Sequence, residues 1–278
     1  MRHAVRPILV LVVTLLALAP GRPAAAQFVG SDPDRQLAPG EPDFTLAALP
    51  TTLRMPAGAF AFRLTHRFAR PIGLGDAGDF FADFFGLDSA AQVGLELRYG
   101  IRPGTQATVH RTNNRTIQFL GQHEILGQDA SRPVTIDALV AVEGENNFSE
   151  SFSTSLGGVL SHRFGERGAL YAHPVYVFNA TVPAAGATAG DDVLLLGIGG
   201  RWRLGGSRAY VVLEAAPRLT GETTGVDHVS VAIERRAGGH VFQFNVSNSF
   251  GTTLRQLARG GARRDDWYVG FNLTRKFY

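Results

Sequence analysis

From Gly58 onward, apolar and polar residues alternate one for one. The clearest run is Ala91 to Ile101. There Ala91, Val93, Leu95, Leu97, Tyr99 and Ile101 are apolar, and Gln92, Gly94, Glu96, Arg98 and Gly100 stand between them. Successive side chains of a β-strand point to opposite faces, so such a segment has one oily face and one polar face. In the first strand Phe60, Phe62, Leu64 and Phe68 lie opposite Arg63, Thr65 and Arg67. In the last, Trp267, Val269, Phe271, Leu273 and Phe277 lie opposite Gly270, Asn272 and Thr274. Further runs near 105–112, 116–126, 134–143, 152–164, 169–179, 192–204, 208–217, 227–235 and 241–249 extend the pattern. Together they predict about twelve strands and no long amphipathic helix.

The connections carry independent information. If the first strand leaves the side of the N-terminus, far-side connections fall near 69–90, 113–115, 144–151, 180–191, 218–226 and 250–265. Near-side ones fall near 102–104, 127–133, 165–168, 205–207 and 236–240. Short turns built on Gly or Pro thus alternate with longer loops, 113–115 excepted, and an even strand count puts both ends on the short-turn side. Outer-membrane barrels have this layout. The expected fold is all-β: a single antiparallel up-and-down transmembrane β-barrel over residues 58–278.

A soluble sandwich or lipocalin-like barrel would turn the oily face inward, a membrane barrel outward. Three features favour the membrane barrel. The polar faces hold small or uncharged residues (Gly94, Gly100, Thr108, Gly197, Gly199, Gly270). Lys276 is the sole lysine, whereas soluble edge strands use lysine to discourage pairing. Aromatic residues also gather at strand ends (Phe68, Tyr99, Phe164, Trp202, Trp267, Phe277), where interfacial girdles would sit.

Ahead of the barrel, Arg2 and Arg6 precede the apolar run Ile8 to Ala19, which Pro20 ends, and Ala24-Ala25-Ala26 offers an A-x-A cleavage site. This is the plan of a cleaved secretory signal peptide over 1–26. Its apolar run is too short for a spanning helix, which needs ~20 residues. Residues 27–57 are rich in Pro, Gly and Asp without a period, and read as an extended periplasmic leader. The chain of 278 residues carries 27 basic and 24 acidic side chains, and the surplus resides in Arg2, Arg6 and Arg22 of the signal. A neutral remainder gives no support to a nucleic-acid partner. The absence of cysteine excludes disulfides, thiolate metal sites, c-type haem and a lipid-modified N-terminal cysteine.

Several blocks resemble a known family. They are Met55-Pro56-Ala57-Gly58 leading into Phe62-Arg63-Leu64-Thr65-His66-Arg67-Phe68, and Phe84-Phe85-Gly86-Leu87-Asp88 followed by the strand to Tyr99-Gly100-Ile101. Gly238-Gly239-His240-Val241-Phe242-Gln243 with Asn248-Ser249, and the closing Gly270-Phe271-Asn272-Leu273-Thr274-Arg275, complete the set. In this order, over roughly 50–278, they resemble the uncharacterised bacterial β-barrel family called domain of unknown function 5777. The resemblance implies an outer-membrane-type barrel and no particular chemistry. Tyr278 extends beyond the terminal Phe277 that closes the pattern.

The polar faces collect Arg63, Arg67, Glu96, Arg98, His110, Glu124, Asp137, Glu143, Arg201, Arg203, Glu214 and Glu234 as the candidate lumen lining. They either line a path for a polar solute or pair into a network that fills the lumen; the mixed signs favour the network. Leu64-Thr65-His66-Arg67-Phe68 and Leu160-Ser161-His162-Arg163-Phe164 nearly repeat, but they end strands of opposite direction and so fall at opposite faces. No His pair has zincin spacing, so neither metal nor cofactor is expected. Ser161 and His162 are adjacent and point apart in a strand, and no G-x-S-x-G elbow occurs. The expected protein is therefore not an enzyme. Phe80, Phe81, Phe84 and Phe85 in the first long loop could plug the barrel mouth, dock a partner or lipid, or simply cap the first hairpin. The expected contacts are outer-membrane lipid and a small solute. Two other roles stand beside passage of that solute: a non-conducting barrel whose external loops bind a protein, and a soluble periplasmic carrier of a hydrophobic ligand.

Overall fold

The computed structural model describes residues 38–75, 78, 90–181, 191–221, 225–261, 263 and 265–278. Phe80, Phe81, Phe84 and Phe85 lie outside them. Twelve antiparallel strands close into a barrel. They are β1 (Phe60–Pro71), β2 (Ala91–Arg102), β3 (Thr105–Thr112), β4 (Ile117–Leu126), β5 (Thr135–Glu145) and β6 (Glu150–Arg163), then β7 (Gly168–Phe178), β8 (Val193–Arg203), β9 (Ala209–Ala216), β10 (His228–Ala237), β11 (His240–Ser247) and β12 (Tyr268–Phe277). Each pairs with its neighbours in sequence, and β1 pairs with β12 from Phe60 opposite Phe277 to Pro71 opposite Tyr268. Closure leaves no unpaired strand edge, which a sheet in hydrocarbon requires.

The alternation is realised with the oily face outward. On β2, Leu95, Leu97 and Tyr99 are about half exposed, whereas Glu96 and Arg98 are buried. Ile233, Phe242 and Phe244 continue this exterior on β10 and β11. Rings mark both rims: Phe60 stacks on Phe277 and Phe164 lies against Trp202 at the short-turn rim, and Tyr176 meets Phe178 at the other. The soluble carrier required the opposite arrangement, an apolar lumen under a polar exterior, and the exposed apolar wall excludes it. His162 ends β6 near the short-turn rim, whereas His66 lies midway along β1, which runs on to Pro71; each sits against a phenylalanine, Phe164 and Phe68 respectively.

One helix stands among the described residues, α1 (Leu254–Arg259), in the long connection between β11 and β12. Thr253 caps its N-terminus through its side chain, and Gly260 ends it at φ 73°. Leu254, Leu257 and Ala258 are buried, so the helix is tucked in at the long-loop rim.

The inner wall is not uniformly polar. Inward positions on β4 to β9 include Leu120, Leu139, Val159, Val175, Leu195 and Val212, which form one apolar cluster with Leu46, Leu49, Leu254 and Leu257. The β12–β1–β2 sector instead carries Lys276, Arg63, Arg67 and Arg98 against a single carboxylate, Glu96.

Candidate functional site

Residues 38–57, read from sequence as part of an extended leader, run inside the barrel. The chain passes the 165–168 turn at the short-turn rim, where a side chain on Gly40 would lie 2.5 Å from the Gly165 carbonyl. It then folds into a tight hairpin. Thr45 bridges Pro50, the Leu46 amide donates to the Leu49 carbonyl at 2.8 Å, and the Thr51 amide donates to the Phe44 carbonyl at 2.7 Å. Phe44, Leu46, Leu49 and Met55 are all at most 2% exposed. The return arm reaches the rim again at Gly58, whose amide donates to the Gly100 carbonyl, and β1 begins two residues later.

The hairpin has two faces, and each meets a matching wall. Leu46 and Leu49 enter the apolar cluster. Burying each of them contributes about 1.5–3 kcal/mol. Room is made by Gly197 and Gly199 on β8: a Cβ at Gly199 would stand 2.4 Å from Leu46 Cδ1, and one at Gly197 would stand 2.9 Å from Leu49 Cδ2. These polar-face glycines signalled a membrane barrel in the sequence; here they are seats for the hairpin.

The polar face meets charge. Glu214 on β9 accepts the amides of Ala47 (2.9 Å), Ala48 (2.9 Å) and Leu49 (3.1 Å). The Ala47 carbonyl accepts from Arg63 Nη2 (2.7 Å), Arg67 Nη2 (3.3 Å) and Asn272 Nδ2 (3.1 Å). Gln243 donates to the Leu46 carbonyl at 3.0 Å. Arg201 reaches the Asp43 and Thr45 carbonyls while it pairs with Glu234 at 2.9 Å. Asp43 accepts from Thr274 at 2.9 Å, and the Phe44 ring lies 5.0 Å from both the Arg98 guanidinium and the Lys276 ammonium. Along the return arm, Gln122 donates to the Thr51 carbonyl, Gln106 donates to the Leu53 carbonyl and Arg54 pairs with Glu124.

Each candidate lining residue can now be placed. Arg63, Arg67, Glu96, Arg98, His110, Glu143, Arg201, Glu214 and Glu234 are buried inside the barrel, as is Asp137, which accepts from Gln122. Glu124 is half-buried beside Arg54, and Arg203 sits at the short-turn rim with Glu166 at 3.1 Å. The expected pairing across the lumen takes another form. Arg98 pairs with Glu96 two positions along its own strand, and Arg201 with Glu234 two strands away on the wall. The space between opposite walls is taken by the hairpin.

A hydrogen-bonded chain joins this hairpin to the long-loop rim. Glu214 meets His228 Nε2 at 2.8 Å, and His228 Nδ1 meets Ser249 Oγ at 2.7 Å. Ser249 opens the connection that carries α1. Beyond it Thr253 donates to Glu143 at 2.9 Å, and Arg255 reaches the Ala180 and Ser151 carbonyls at 3.2 Å. Burial, with the neighbouring Arg259 guanidinium, lowers the Arg255 pKa from its ordinary value. Arg255 and α1 were missed in the sequence, although Thr253 and Gly260 are start and stop signals at the right spacing.

A family model described as a membrane bound beta barrel domain, domain of unknown function 5777, matches residues 43–277. The chain belongs to this family. The match begins at Asp43, so it takes in the hairpin as well as all twelve strands. No curated protein matches the chain. Among solved structures, the fold is similar to that of the NanC porin, at 8% identity with a TM-score of 0.53, covering 80% of this chain and 100% of that one. Outer membrane phospholipase A from Escherichia coli aligns at 10% identity with a TM-score of 0.46, over 86% of this chain and 98% of that one.

Proposed function

We propose that this membrane β-barrel is an outer-membrane pore of a Gram-negative-type bacterium, exported by the signal at 1–26 and closed by its own chain. A small polar solute passes when the hairpin withdraws toward the short-turn, periplasmic rim. The observation that carries this reading is the manner of closure. Residues 43–52 occupy the lumen through hydrogen bonds, packing and the cation–π contacts of Phe44, all non-covalent, against a lining of buried charges. A wall meant only to be solid would be as stable with apolar residues, since buried charges are expensive to desolvate.

A non-conducting barrel is the alternative, favoured by the apolar cluster that unites hairpin, wall and α1. Catalysis is not part of the proposal. Glu214, His228 and Ser249 stand in the order of an acyl-transfer triad, but all three are at most 3% exposed and Glu214 is engaged by three amides. We read the trio as a clamp between the two closures; ester hydrolysis by the protein that disappeared in Ser249→Ala would overturn that assignment.

Planar-bilayer recording on the full chain tests the pore. Gly197→Val places a branched side chain against the Leu49 methyl groups, since a Cβ there stands 2.9 Å from Cδ2 and 3.0 Å from Cδ1, and overpacking of this kind costs about 1–3 kcal/mol. The variant should open far more often than the parent. A barrel that inserts and stays silent in both forms would establish the non-conducting alternative.

A further inference from the structure

Ala47 is held at its two backbone poles by groups of opposite charge. Its N–H donates to the Glu214 carboxylate at 2.9 Å, and its carbonyl takes donors from Arg63, Arg67 and Asn272. These groups are at most 3% exposed. A neutral peptide is a weak partner for such a pair of poles. Two full charges at hydrogen-bond distance add a Coulombic attraction that a peptide dipole lacks, and four cationic side chains of the β12–β1–β2 wall face one wall carboxylate, Glu96, with Asp43 of the hairpin beside Thr274. Arg98 adds a second sign of unmet demand: it is 2% exposed, and its Nε and Nη1 have no hydrogen-bond partner among the described residues. A free α-amino acid presents an ammonium and a carboxylate at the spacing of one residue's N–H and C=O, with full charge at each.

We propose that Glu214 on one side and Arg63, Arg67 and Asn272 on the other form a binding site for a small zwitterionic α-amino acid, whose place Ala47 holds in the closed barrel. The site rests on the pore reading, since the solute gains entry only when the hairpin leaves. Solute and hairpin then compete for the same groups, and arrival of the solute favours opening. The apolar wall beside Gly197 and Gly199, vacated by Leu46 and Leu49, would receive an uncharged side chain.

The chain has no cysteine, so a single Ala48→Cys in the full-length protein reports on the hairpin through its labelling by a membrane-impermeant maleimide. Ala48 is 7% exposed in the closed barrel. Millimolar L-alanine should raise the labelling rate several-fold, and propionate or ethylammonium alone at matched ionic strength should not. Adding Arg63→Gln or Glu214→Gln should raise the basal rate and abolish the response to L-alanine. Equal rates with and without L-alanine, or an equal response to propionate, would overturn the proposal. Leu49→Cys supplies a second reporter should Ala48→Cys fail to fold, with heat-modifiable gel mobility as the folding check. Labelling reads occupancy and not passage, so a silent barrel would contradict the pore without altering this result.

Discussion

The Glu214 carboxylate holds the Ala48 amide at 2.9 Å although the two residues stand 166 positions apart in sequence. Together with the amides of Ala47 and Leu49, this fixes the hairpin tip deep in the lumen. Hydrogen bonds to a charged acceptor contribute about 1.5–3 kcal/mol each when intact. Glu214→Gln keeps the shape but removes the charge and replaces one acceptor oxygen with a donor. The expected outcome is a hairpin loosened by about that amount, measured as faster protease cleavage within 43–52 while the barrel keeps its heat-modifiable mobility.

The closure at the long-loop rim should yield separately. Leu257 is fully buried in the shared apolar cluster. Leu257→Ser removes most of that burial and adds a hydroxyl, a change of about 2–5 kcal/mol by analogy with large-to-small core substitutions. Hydrogen exchange should rise over Leu254–Arg259 first, with the amides of 47–49 still protected by Glu214. Simultaneous loss of protection at both places would show that the Glu214–His228–Ser249 chain couples the two closures tightly.

The outer wall makes a different demand. Ile233 on β10 is 60% exposed and faces lipid in this account. Arginine on the lipid face near the bilayer midplane costs about 2–4 kcal/mol, falling toward the interfaces. Ile233→Arg should therefore lower the stability of the barrel folded into phospholipid vesicles, read from its urea midpoint, with the lumen unchanged. A midpoint equal to the parent's would place Ile233 away from lipid.

The barrel was legible because its determinant is local: a two-residue period in Ala91–Ile101 fixes which face is oily whatever lies far away. The register that sets Arg63 beside Glu96, and Arg67 beside Gln92, follows from pairing between strands that the sequence lays out in order. The hairpin was hidden for the opposite reason. Its turn has no period, and what holds it are single groups on β1, β8, β9, β11 and β12, remote in sequence. Phe44, Leu46, Leu49 and Met55 were a trace of it, since an extended leader has no use for four large apolar residues. The unbroken run Val193-Leu194-Leu195-Leu196 likewise marked a strand apolar on both faces, and so the apolar half of the inner wall. The charged positions were found, but their partners were not, because pairing depends on what fills the space between the walls.

The most direct measurement of hairpin-gated passage uses a reversible lock. Leu49→Cys with Gly197→Cys puts two thiols where the Leu49 side chain meets the wall, in a chain otherwise free of cysteine. In planar bilayers the oxidised, cross-linked protein should be silent, and reduction of the same membrane should bring discrete openings. Openings of equal frequency before and after reduction, with the cross-link verified, would contradict gating by the hairpin.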